Sequence, residues 1–153
     1  MENNDILRRI RYTFEISDTK MIEIFELGDC SVTRAQISDW LKKDDAPDYQ
    51  SLNDVHLACF LNGFIIQKRG KKDDKKIIPE KRLNNNIIFR KLKIALNLID
   101  EDILEILELA DMRISKHELS AFFRDPKQSQ FRPCKDQILR NFLLGMQLKY
   151  HID

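Results

Sequence analysis

The chain has 153 residues, 26 of them Lys or Arg against 25 Asp or Glu, a net charge of +1, and 42% hydrophobic residues. That length suits one ordinary domain or two small ones, and the apolar share excludes disorder throughout. The balanced charge makes no case, from the total alone, for a nucleic-acid or membrane protein.

The first helix is predicted where Ile6, Leu7, Ile10 and Phe14 recur at helical spacing. Asp18 is a candidate cap for a second, whose buried stripe is Met21, Ile22 and Phe25, and which Gly28-Asp29-Cys30-Ser31 breaks. Thr33-Arg34-Ala35-Gln36 is a capping box: hydroxyl and amide each satisfy a free backbone N–H at the start of a third helix, which turns Ile37, Trp40 and Leu41 inward. After a polar loop holding Pro47, the longest helix opens near Ser51-Leu52-Asn53-Asp54 and runs to Lys68-Arg69-Gly70, basic residues and glycine being apt at a C-terminus.

The remainder repeats this pattern. Sliding the chain by 82 positions aligns residues 3–71 with 85–153 without a gap, and 16 of 69 pairs are identical, where ordinary composition gives about four. The identities fall at caps and apolar periodicities, and they include Gly63 and Gly145 inside the long helices. An internal glycine costs about 1 kcal/mol against alanine, so two at one register predict a helix crossing too close for a Cβ. No window alternates apolar and polar residues as a strand does. The expected fold is therefore all-α: two homologous four-helix units, residues 1–70 and 83–153, joined by a basic linker at 71–82. A unit of about 70 residues buries only about 60% of its unfolded surface, so the two are expected to pack on each other.

Several segments are similar to a known family. Asn-Asn-Asp-Ile-Leu-Arg-Arg-Ile-Arg-Tyr at 3–12, Phe-Leu-Asn-Gly-Phe-Ile-Ile-Gln-Lys-Arg-Gly-Lys-Lys at 60–72, Ile-Phe-Arg-Lys-Leu-Lys-Ile-Ala-Leu-Asn-Leu at 88–98 and Ser-Lys-His-Glu-Leu-Ser-Ala-Phe-Phe-Arg at 115–124 resemble the YehS-like family of small bacterial proteins, which carry a domain of unknown function in tandem. The resemblance implies a bacterial cytoplasmic protein and brings no activity, cofactor or catalytic residue.

Two features suggest a ligand surface. The second and third helices have the outline of a helix-turn-helix, which would aim Arg34 and Gln36, or Lys116, His117 and Glu118, at base edges, with Lys42 and Arg124 at the far ends. The pattern departs from that motif: the tight inter-helix position falls on Leu27 and Leu109, where a small residue belongs, and a plain capped pair in a bundle accounts for it as well. The other feature is a basic face on the first helix, where Arg8, Arg9 and Arg11 recur as Arg90, Lys91 and Lys93. Such a face suits phosphates or an acidic partner, or else pairs internally with the repeated acids Glu23, Glu26 and Asp29.

Enzymatic chemistry finds little footing. The cysteines and histidines do not recur between copies, no pair has metal-ligand spacing, and four glycines leave no phosphate cradle, so no cofactor or metal is expected. The pairs Glu23/Glu26 and Glu105/Glu108 read as solvated faces, and Tyr49 and Phe131, at one point of the two loops, as plugs of their own units. No run approaches the roughly 18 apolar residues of a membrane span, and the N-terminus has no secretory pattern. Three cysteines do not close a disulfide framework, which points to the cytoplasm. The reading is a non-enzymatic helical binding protein with nucleic acid as its most concrete ligand, the rival being an adaptor that binds another protein or itself as a homo-oligomer, and an enzyme with an inter-domain pocket standing third.

Overall fold

Capping and stop residues divide the chain into eight helices in the computed structural model, which describes residues 1–71 and 77–152. They are α1 (Asn3–Thr13), α2 (Asp18–Leu27), α3 (Arg34–Leu41), α4 (Asp54–Arg69), α5 (Asn85–Ala95), α6 (Asp100–Leu109), α7 (Lys116–Ala121) and α8 (Asp136–Tyr150). There is no strand among the described residues. The all-α, two-unit architecture expected from the repeat is the one observed. Residues 72–76 of the basic linker, and Asp153, lie outside the described residues.

The helix starts follow local chemistry. Thr33 and Ser115 form the capping boxes read from the sequence, and Asn53 caps α4 by accepting from the His56 N–H at 2.8 Å. Neither Asp18, the cap expected from the sequence, nor its repeat counterpart Asp100 is a cap. The Ser17 hydroxyl accepts from the Lys20 N–H at 3.2 Å, and Asp102 reaches back to the Ile99 N–H at 2.9 Å. Four helices stop alike: α1, α2, α5 and α6 are followed by left-handed Glu15 (φ 49°), Asp29 (φ 70°), Asn97 (φ 54°) and Asp111 (φ 58°). Beyond each, the next N–H reaches five residues back, as Ile16 does to the Arg11 carbonyl and Leu98 to that of Lys93, both at 3.0 Å.

Within each copy an asparagine pair binds α1 or α5 to the loop before the long helix. The Asn4 amide donates to the Trp40 and Gln50 carbonyls and accepts from the Leu52 N–H, while Asn86 does the same with Phe122, Arg132 and Cys134. Asn3 and Asn85 donate to Asp54 and Asp136 at 2.7 Å.

The copies pack reciprocally. α1 lies on α8 and α5 on α4, so each copy's first helix covers the other's last. The relation extends to single atoms: the Leu83 N–H donates to Asp54 at 2.9 Å, and the Met1 nitrogen to Asp136 at 2.9 Å. Phe25, Phe60 and Phe64 of one copy and Phe89 and Phe142 of the other belong to one continuous core. No described helix is long and apolar enough to cross a membrane.

Two of the three cysteines, which were expected to close no disulfide framework, are joined. Cys30, after α2, is bonded to Cys59 of α4 across a sequence separation of 29, and Cys134 remains a buried free thiol whose pKa burial pushes up to about 12. The cysteine count therefore no longer argues for a reducing compartment.

Candidate functional site

Most of the basic face on the first helices is paired within the chain. Arg11 meets Asp18 at 3.3 Å and Lys93 meets Asp100 at 3.5 Å, one contact made at both ends of the repeat. Lys93 also lies 4.4 Å from the centre of the Phe123 ring. Arg8 pairs with Asp5 and donates to the Lys42 carbonyl at 2.7 Å, and Arg90 donates to the Phe123 carbonyl. The acids that take these cations are Asp5, Asp18 and Asp100, whereas Glu23 pairs with Lys20.

Arg9 and Lys91 occupy equivalent positions and fare differently. Lys91 is 9% exposed, donates to Asn62 Oδ1 at 2.6 Å and meets Glu80 at 3.1 Å. Arg9 Nη1 is buried with no hydrogen-bond partner among the described residues.

The side chains that a helix-turn-helix would aim at bases are turned back onto the protein. Arg34 reaches Asp18 at 3.5 Å and the Thr19 hydroxyl at 3.2 Å, and Lys116 meets Glu101 at 2.7 Å. The hydrogen bond from Lys116 holds the Glu101 carboxyl below its usual range. Gln36 and Glu118 close the capping boxes on Thr33 and Ser115. Lys42 lies between Asp39 (3.0 Å) and Asp48 (3.5 Å), and the hydrogen bond to Asp39 leads in raising its pKa. Six residues separate α2 from α3, and six separate α6 from α7, more than the three or four of that motif's turn. Tyr49 donates to Glu2 at 3.0 Å at the surface, and Phe131 lines a cavity.

The cavities follow from the reciprocal packing. Where α1 lies on α8 there is a groove of ≈ 490 Å³, walled by Arg8, Arg9 and Tyr12 on one side and Arg140 and Gln147 on the other. Where α5 lies on α4 there is another of ≈ 420 Å³, walled by Arg90, Lys91 and Ile94 and by Asn62 and Ile65. Tyr12 and Ile94 are equivalent positions, as are Gln147 and Ile65, so the two grooves are pseudo-symmetric images that have diverged, one polar and one apolar. The first-helix cations of the two halves thus enter separate grooves, with Arg124 in the second.

Sequence reasoning misses Arg140 and Asn62. Recurrence between the copies does not mark them, because their counterparts are Ala58 and Leu144. Divergence between the copies, rather than likeness, is the signal they carry. Among the described residues no group of three or more His, Cys, Asp or Glu is placed to hold a metal ion.

Comparison with known proteins agrees with the repeat. A family described as "Protein of unknown function (DUF1456)" matches residues 3–70 and again 85–151. The uncharacterized protein YehS of Escherichia coli (strain K12) is 42% identical over 153 residues, covering 99% of this chain and 98% of the relative. No solved structure matches the chain.

Proposed function

We propose a binding function for this chain, which belongs to the DUF1456 family of proteins of unknown function: a non-enzymatic, cytoplasmic protein that grips nucleic-acid phosphates in the groove between α1 and α8. The observation that carries this reading is Arg9, whose Nη1 is buried without a partner among the described residues and which lines the groove with Arg8 and Arg140, the acid there, Asp5, being paired with Arg8. A desolvated guanidinium N–H calls for an acceptor, and a phosphate oxygen suits a guanidinium fork in charge and geometry. With the first residues of α3 and α7 engaged in caps and ion pairs, this contact is to the backbone and reads no sequence.

The test is fluorescence anisotropy with single-stranded and duplex DNA and RNA across a salt series. Binding should weaken as salt rises, and Arg9→Ala with Arg140→Ala should lower affinity about tenfold or more and flatten the salt slope. No binding at low salt, or binding indifferent to both changes, would sink the reading.

The adaptor reading draws on one observation. Leu27 and Leu109, equivalent in the two copies, are 45% and 49% exposed at the ends of α2 and α6, where a partner helix has an apolar foothold. Loss of a captured protein on replacing both by glutamate would favour it.

A further inference from the structure

We infer that the groove between α4 and α5 is a second and separate site, for a small acidic molecule built on a flat apolar ring with an amide-type edge. Its volume of ≈ 420 Å³ falls in the range of pockets that enclose small organic ligands, roughly 300–1,000 Å³. Ile65, Ile87, Ile94, Phe122 and Phe131 give it apolar walls, and the aromatic rings favour a flat occupant.

Polar groups converge in this wall with bonds left to make. Of the six buried side-chain N and O atoms without partners among the described residues, three belong to residues that line this groove: Asn62 Nδ2, Glu80 Oε1 and Arg124 Nε. Lys91 fixes how the first two are presented. An ammonium only donates, so the Asn62 oxygen must face it and the amide NH₂ is left free. Lys91 also takes Glu80 Oε2, which leaves Oε1 as an acceptor on a group held by the same ammonium. A free donor and a free acceptor tethered to one ammonium can answer the acceptor and donor of a lactam or imide edge.

Charge supplies the rest of the ligand. Glu80 is the single acid among the described lining residues and is matched by Lys91, so Arg90 and Arg124 remain in excess. A carboxylate or phosphate on the ring answers them. Both copies contribute walls, and the image groove, with Leu144 where Asn62 stands, lacks the donor. The expectation is one such site per chain.

Orotate, which combines a flat ring, an imide edge and a carboxylate, is the probe, with uracil (edge without acid) and benzoate (acid without edge) as its fragments. Saturation-transfer NMR and thermal melting of the full chain should show orotate binding about tenfold or more tightly than either fragment. Asn62→Leu and Arg124→Gln should each weaken orotate about tenfold, and Arg9→Ala, in the other groove, should leave it unchanged. Orotate no tighter than its fragments, or equally tight in both variants, overturns the proposal. If Asn62→Leu lowers the melting temperature through its loss to Lys91, Arg124→Gln at the half-buried edge decides the matter.

Discussion

Gly63 of α4 lies directly on the backbone of Ile24 in α2: a Cβ added to it would come under 3.0 Å from the Ile24 carbonyl oxygen. Gly145 has the same relation to Ile106, 82 residues on from Ile24. The obstacle in each case is backbone, so a methyl group cannot be absorbed by a rotamer change. Gly63→Ala and Gly145→Ala should each destabilise the protein by about 2–3 kcal/mol, despite the better helix propensity of alanine. Urea denaturation checks this, and an alanine variant as stable as the parent would mean that the helices do not cross as described.

That crossing is legible in the sequence, because a glycine inside a long helix weakens it, and a close backbone contact is what offsets the loss at the same register in both copies. The boxes at Thr33 and Ser115 are legible because their chemistry is local. The reciprocal packing of α1 on α8 is not. The periodicity of Ile6, Leu7 and Ile10 says that a face is buried and is silent on which helix buries it. The diverged grooves are hidden further still, since Asn62 and Arg140 acquire meaning only when α4 meets α5 and α8 meets α1.

The asparagine clamps should rank among the most sensitive surface-distant sites. Asn4 is 1% exposed and serves two carbonyls and one N–H. Truncation leaves those backbone groups short of a partner, at about 1–3 kcal/mol for each one stranded. By that measure Asn4→Ala should cost about 3 kcal/mol, Asn86→Ala a similar amount, and Asn4→Asp nearly as much because the donor is lost. Thermal and urea melts of the three variants read the result.

Glu15 holds a left-handed conformation, and Asn97, its counterpart, holds the same one with a residue better suited to it. Glu15→Asn should stabilise the protein by a few tenths of a kcal/mol and Glu15→Gly by up to about 1 kcal/mol, since glycine meets no Cβ penalty there. His151 lies 3.8 Å from Glu15, a charged pair only when the imidazole is protonated. Urea denaturation of the two variants reads the gain, and a loss of stability in either would contradict the argument.

The Cys30–Cys59 bond makes a countable prediction. Denatured without reductant, the chain should show one reactive thiol, that of Cys134, and three after reduction. A cross-link closing a loop of this size stabilises by about 3–4 kcal/mol through the unfolded chain. Cys59→Ser should lower stability by about that much in oxidising buffer and by far less when the parent is also reduced. In the second copy the equivalent residues meet without a covalent bond, Asn141 Nδ2 lying 3.6 Å from Met112 Sδ, so the fold at this corner does not require one.

Acid should act first where the copies meet. Asp136 accepts from Asn85 and from the Met1 nitrogen, and these bonds, the Asn85 one foremost, hold its carboxyl below the usual range. Glu118 is likewise held low by its backbone bond within the Ser115 box, and Glu101 by Lys116. A depressed folded pKa means that the unfolded chain takes up protons first, so stability falls as pH drops. The contribution of these groups is complete above the ordinary carboxylate values of about 4 and disappears as pH falls through the lower folded ones. Asp136→Asn keeps the oxygen that Asn85 uses and removes the charge, so it should flatten the decline in melting temperature between about pH 5 and pH 2. A variant that follows the parent curve across that range would place the acid sensitivity elsewhere.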